Sequence, residues 1–273
     1  DKQWYLKDQK LEAVWGNEDY GNTAGEGTVV AVIDTGVDYN HEDLQDNIWT
    51  NSAEVSGQKG TDDDNNGYVD DVHGINLIDP NETPMDDHGH GTHVAGIISM
   101  ENNNVGGVGI AYKSKIMPIK AGGSDGTFNS TDIAKGIEYA YKNGADVINM
   151  SFGSSAHSAL IENALQDAFN SCVLVAAAGN DGIPTADCPL GGQNMYPASY
   201  SYVIGVMAYV TIKDKVNVIL TFYDISLNTA LSTIGDIIVD LGIKISAVFL
   251  RTLCIMEWYI YGSAYGISGG SHT

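Results

Sequence analysis

Asp34, His90 and Asn180 each stand where an apolar run or a tight turn stops, and a serine joined to them would complete a nucleophilic set. A serine hydroxyl is a poor nucleophile near neutral pH. It needs an imidazole to take its proton and a carboxylate to fix the tautomer and orientation of that imidazole. Attack on a carbonyl also needs a donor for the developing oxyanion, and an amide side chain such as that of Asn180 suits the task. The chain order Asp, His, Asn, Ser is one of the orders in which this chemistry is built.

Competing chemistries for the same residues lack a partner. Ile33-Asp34-Thr35-Gly36 has the form of an aspartic-protease signature, but no second Asp-Thr-Gly or Asp-Ser-Gly supplies the other carboxylate. His88, His90 and His93 form a His-x-His-x-x-His pattern, the spacing of a zinc hydrolase, without the Asp expected at Thr92. Gly266-Ile267-Ser268-Gly269-Gly270 fits Gly-x-Ser-x-Gly, yet only His272 follows where an acid and a histidine are required.

The elements that must position these residues are legible in the hydrophobic pattern. Residues 28–34, Thr-Val-Val-Ala-Val-Ile-Asp, are an apolar, β-branched run of the kind buried on both faces of a parallel sheet. Similar runs recur at 116–119, 146–150, 173–177 and 203–207. Between them, Ile133, Ile137 and Ala140 make one helical stripe over 131–143, with Gly144 as a stop, and Ile161, Ala164, Leu165 and Ala168 make another over 157–170. Alternating strands and helices predict an α/β fold, an open parallel sheet with helices on both faces. Sites in such sheets lie beyond the C-terminal strand ends. Asp34, Ser151-Phe152-Gly153 and Gly179-Asn180 all follow apolar runs, and the turn His88–His93 opens an apolar helix.

Charge points to a cation. The 273 residues carry 13 Lys plus Arg and 35 Asp plus Glu, for a net charge of −22, and the sole arginine is Arg251. That balance argues against nucleic acid as a partner and against an anionic membrane surface. Fourteen acids fall in residues 38–87 against one base, Lys59. Within them, Asp62, Asp64 and Asn66 sit at alternate positions before Gly67, with a backbone carbonyl from Tyr68 and carboxylates from Asp70 or Asp71 to follow. This spacing fits the start of a Ca2+ loop, although His73 stands where an EF-hand has its Glu.

The remaining features set limits. Cys172, Cys188 and Cys254 imply neither a disulfide framework nor a zinc site. Cys172 reads as a small buried residue in a strand. No clean apolar stretch is long enough to span a membrane; the nearest, 237–256, carries Asp240, Lys244 and Arg251. Residues 209–261 hold two glycines, no proline and ten isoleucines, and no convincing elements thread through them.

Several motifs in one order resemble the subtilisin-like serine proteases, or subtilases. They are Val32-Ile33-Asp34-Thr35-Gly36, His41-Glu42-Asp43-Leu44, His90-Gly91-Thr92-His93-Val94-Ala95-Gly96, Asn149-Met150-Ser151-Phe152-Gly153, Ala176-Ala177-Ala178-Gly179-Asn180 and Tyr196-Pro197-Ala198. Agreement runs from about residue 14 to 208. The resemblance implies that Asp34 orients His90, His90 is the general base and Asn180 the oxyanion donor. It implies a substrate groove between Ser151, Phe152 and Gly153 on one side and Gly123, Ser124 and Asp125 on the other. A peptide would lie there as an added strand. The resemblance also implies a second calcium site at Asp43 and the loop from Asn103 to Gly107, protein or peptide substrates, a monomer, and secretion.

The nucleophile departs from the family's Gly-Thr-Ser-Met-Ala-x-Pro signature. The nearest text is Ser268-Gly269-Gly270-Ser271-His272-Thr273, which puts Ser271 in the nucleophile position. The expectation is one catalytic domain over 1–273, family-like over 14–208, atypical over 209–261, and ending in a possible nucleophile segment at 262–273. It is C-terminally incomplete relative to the family and weakly active or inactive. A non-catalytic relative that binds peptides in the same groove is the alternative from another class. A zinc hydrolase using His88, His90 and His93 is the third.

Overall fold

The computed structural model describes residues 3, 6, 10–15, 17, 23–180, 194–211 and 215–221, with backbone alone from 207 onward. Its strands are β1 (Val29–Asp34), β2 (Ile75–Asn76), β3 (Lys115–Lys120), β4 (Val147–Met150), β5 (Val173–Ala177), β6 (Ile204–Thr211) and β7 (Lys215–Thr221). Its α-helices are α1 (Leu11–Trp15), α2 (Ser52–Ser56), α3 (His90–Ser99), α4 (Ser130–Lys142) and α5 (Ala159–Ala168). The strands form one sheet in the order β2-β3-β1-β4-β5-β6-β7. All neighbours are parallel except β6 and β7.

Strand β1 shows why the sheet is buried. Val30 and Val32 point into one core; Ala31 and Ile33 point into the other, and all four are inaccessible to solvent. A chain with period-two alternation and apolar residues on both faces must be covered twice. Helix α3 covers the first face through Val94, Ala95, Ile97 and Ile98. Helices α4 and α5 cover the second through Ile133, Ile137, Ile161 and Leu165. Each fully buried Ile or Leu contributes about 1.5–3 kcal/mol.

Local signals fix the helix ends. Asn129 accepts the Asp132 N–H at 2.9 Å and caps α4. Gly144, at φ +84°, turns the chain out of that helix in a conformation that other residues resist. The hairpin β6–β7 adds one antiparallel pair to the expected parallel sheet and lies partly in 209–261, where no element was expected. Three residues separate the two strands, and a parallel return needs a crossover of a dozen or more.

From β1 the chain runs to β2 and β3 on one side and then crosses to β4 and β5 on the other, so a topological switch point lies beside β1. Ligand crevices form at such points, beyond the C-terminal strand ends.

Candidate active site

Asp34 is the last residue of β1 and is fully buried. His90 opens α3 and is 8% exposed. Their contact, His90 Nδ1 to Asp34 Oδ1 at 2.7 Å, joins residues 56 apart in sequence. Helix α3 approaches so closely that a Cβ at Gly91 would collide with the carbonyl oxygen of Gly36 and touch Asp34 Cβ. Only glycine permits that approach.

Thr35 holds the pair from below. Its N–H donates to Asp34 Oδ1 at 2.7 Å, and its hydroxyl accepts the Gly91 N–H at 3.0 Å and donates to Asp86 Oδ1 at 2.9 Å. Asp86 also accepts the backbone N–H groups of His88 and Gly89, and both the N–H and hydroxyl of Thr92. Gly89, the N-cap, has no side chain to satisfy the first-turn amides of α3, so Asp86 and Thr35 satisfy them instead. Partial burial pushes the Asp86 carboxyl up, but hydrogen bonds from the Thr92 hydroxyl and the Gly89, Thr92 and His88 amides outweigh it and hold its pKa below the usual range. The sequence shows Thr35 only as part of the Asp34-Thr35-Gly36 motif and Asp86 only as one of the acids of 38–87; the place of Asp86 four residues before His90 is the signal that could have found it.

A cavity of about 470 Å³ opens beside His90. Ser151, Phe152 and Gly153 line it, as do Thr35, His88 and the far group His157, Tyr196 and Tyr200. Gly126, Thr127 and Phe128, which follow Gly123, Ser124 and Asp125 in the chain, also line it. Gly123, Ser124 and Asp125 form the turn that precedes the wall: Gly126 N–H closes on Gly123 O at 2.9 Å, and Asp125 takes the N–H and hydroxyl of Thr127. The Phe128 and Phe152 rings meet at 4.8 Å and join the two walls. Ser154 and Tyr196 exchange backbone hydrogen bonds at 2.9 and 2.7 Å, which pins the far end. The aromatic lining suits an apolar side chain.

Asn180 follows β5 and is exposed, three residues beyond the strand. It stands on the same sheet edge as Asp34 and Ser151, since β1, β4 and β5 are consecutive in the sheet. Ser271, Cys188 and Cys254 lie outside the described residues. Cys172 is fully buried, and burial pushes its thiol pKa up to about 12.

The histidines do not form a metal centre. Among the described residues, one group of three candidate ligands converges within 4.8 Å: Glu54, Asp62 and Asp64. The ring centroids of His88 and His90 stand 6.3 Å apart, and His93 is exposed on α3.

The expected calcium loop divides in two. Asp62 and Asp64 converge with Glu54, an acid the spacing did not reveal because it comes from α2. Asn66 accepts the Tyr68 N–H at 2.8 Å and reaches Asp71 with its amide nitrogen at 2.9 Å. Asp70 is committed to the Gly60 N–H, and Asp71 to Asn51, Asn66 and the Tyr139 hydroxyl. Three carboxylates this close repel one another, and the all-oxygen donor set fits a hard divalent cation. At the second expected site Asp43 is 2% exposed, and its Oδ1 has no hydrogen-bond partner among the described residues. Its Oδ2 accepts the Gly107 N–H at 3.2 Å, while Asn103 Oδ1 accepts the Val105 N–H at 2.8 Å. Gln3, unnoticed in the sequence, grips Val108 on the same loop through both its amide atoms. An orphaned buried carboxylate oxygen beside such a loop also fits a hard cation.

A parallel sheet with this connectivity and an Asp–His pair at the switch point define a class, and comparison with known families gives it a name. The Subtilase family matches residues 25–266, and the chain belongs to that family. The match runs through 209–261 and stops short of Ser271. The chain is 35% identical over 241 residues to Subtilisin-like protease 1 of Plasmodium berghei (strain Anka), covering 85% of this chain and 39% of that protein. It is 39% identical over 184 residues to Thermophilic serine proteinase of Bacillus sp. (strain AK1), covering 67% and 38%. It is 36% identical over 185 residues to Subtilisin Savinase of Lederbergia lenta, covering 67% and 56%. The chain thus spans 39% or less of the length of the first two of these relatives.

Proposed function

We propose that this chain is the catalytic domain of a serine endopeptidase, with Asp34 orienting His90, His90 as general base, Ser271 as nucleophile and Asn180 as oxyanion donor. The observation that carries the reading is the buried 2.7 Å contact between Asp34 and His90 beside a peptide-sized cleft. His90 takes the proton of the Ser271 hydroxyl as its oxygen bonds to the scissile carbonyl carbon. The carbonyl oxygen becomes the oxyanion and takes a hydrogen bond from the Asn180 amide. Collapse breaks the carbon–nitrogen bond, and His90 gives its proton to the leaving amine. Water then repeats the sequence on the acyl-enzyme and frees Ser271.

The substrates are proteins or peptides laid along Ser151, Phe152 and Gly153. Asp62, Asp64 and Glu54 would hold Ca2+, with a second ion at Asp43, and the bound ions would neutralise the clustered charge and stabilise the loops. A secreted monomer is the form that the family resemblance supports. Among the described residues no helix is long and apolar enough to cross a membrane. Turnover is weak, because the residues around Ser271 lack the signature that anchors the family's nucleophile, and catalytic atoms must be held within about 0.5 Å of working geometry.

Labelling with a fluorophosphonate probe in millimolar calcium, read by peptide mass spectrometry, tests this reading. Label on Ser271 that is lost in His90→Ala supports it. A folded, calcium-responsive protein without label favours a subtilase scaffold that binds peptides without cleaving them.

A further inference from the structure

We propose that Lys120 is a positioning residue for the Asp34–His90 pair: its buried ammonium ties the loop leaving β1 to the loop entering α3 and thereby holds carboxylate and imidazole together. The proposal rests on reading that pair as catalytic.

Lys120 ends β3 and is the Cα partner of Asp34 in the parallel ladder. It is 4% exposed. Its Nζ donates to the Thr35 carbonyl at 2.6 Å and to Asp87 Oδ1 at 2.5 Å. Thr35 is the residue after Asp34, and Asp87 lies three before His90. One cation therefore grips both segments that carry the pair, and it does so from a third element, β3.

Stability alone does not account for a lysine here. Taking an ammonium out of water costs more than an exposed ion pair returns, and an apolar side chain of similar length fills a strand end at lower cost. The Asp87 side chain is half exposed, so the pair could form at the surface without burying the lysine. What the buried position adds is the bond to Thr35. Every polar backbone or side-chain group of Thr35 is then engaged: N–H on Asp34, hydroxyl on Asp86 and Gly91, carbonyl on Lys120. With Thr35 held on three sides, the Asp34 carboxylate it donates to is held as well.

The test is NMR of the His90 Nδ1–H in the intact chain, which needs no turnover. Lys120→Met and Asp87→Asn broaden or shift the Nδ1–H resonance of the bond to Asp34, and in an active preparation both lower kcat at least tenfold with KM changed less than threefold. A merely structural lysine would lower the melting temperature while leaving the Nδ1–H resonance of the folded protein as in the parent, and that result overturns the proposal. If Lys120→Met does not fold, Asp87→Asn decides by the same readouts. Absence of turnover in the parent chain removes the peptidase reading and leaves the NMR result to stand or fall on its own.

Discussion

The Thr35 hydroxyl donates to Asp86 Oδ1 at 2.9 Å and so ties the residue after Asp34 to the residue four before His90. This bond closes a ring of contacts around the pair: Asp34, Thr35, Asp86 and the first turn of α3. The pair is held by its neighbours in two loops as much as by the sheet and the helix.

Breaking that ring weakens the fold and the site together. Asp86→Ala is expected to cost about 1–3 kcal/mol in urea unfolding, because it strips a charged acceptor from several amides. The carboxyl pKa of Asp86 is lowered in the folded state. Its contribution is therefore complete above the unfolded carboxylate value, about 3.9, and is lost as pH falls through the lower folded value. Asp86→Asn should show a shallower loss of stability in that acid range, measured by unfolding at stepped pH.

Asp34→Asn keeps the shape of the buried acceptor but favours the wrong imidazole tautomer. In a preparation with measurable peptidase activity it should lower kcat by roughly 10⁴, with the circular dichroism spectrum unchanged. Stopped peptide cleavage assays with a reporter substrate give the ratio. A drop of less than tenfold would separate Asp34 from the chemistry.

Calcium stabilises the chain if the convergent acids hold it. A ligand bound only by the native state adds about 2.7 kcal/mol at a hundredfold excess over its Kd. EDTA should lower the melting temperature. Glu54→Gln should reduce that response, since Glu54, Asp62 and Asp64 present their oxygens to one point. A melt indifferent to chelator would remove the cation from the account.

Tyr139 links the acid loop to the core. It is 2% exposed on α4, and its hydroxyl donates to Asp71 Oδ2 at 2.5 Å. Burial, then the hydrogen bond and the charge of Asp71, push its pKa well above the usual phenol range, so it remains a donor at every working pH. Tyr139→Phe leaves Asp71 with one donor fewer and should cost about 1–3 kcal/mol in thermal or urea unfolding.

Much of this was legible in the sequence because it depends on local period and position. Strands with both faces apolar and helices with one stripe announce the layers, and the rule that sites follow strand ends points to Asp34, Ser151 and Asn180. The stripe of Ile133, Ile137 and Ala140 and the stop at Gly144 place α4 to within a residue of Ser130–Lys142. Other features depend on which distant segments meet. Glu54 joins Asp62 and Asp64, Gln3 reaches Val108, Phe128 meets Phe152, and Lys120 bridges Thr35 and Asp87. These contacts leave no periodic trace. Their energies come from burying polar groups against exact partners, and the partners are chosen only when sheet register and helix docking bring far parts of the chain to within hydrogen-bonding distance.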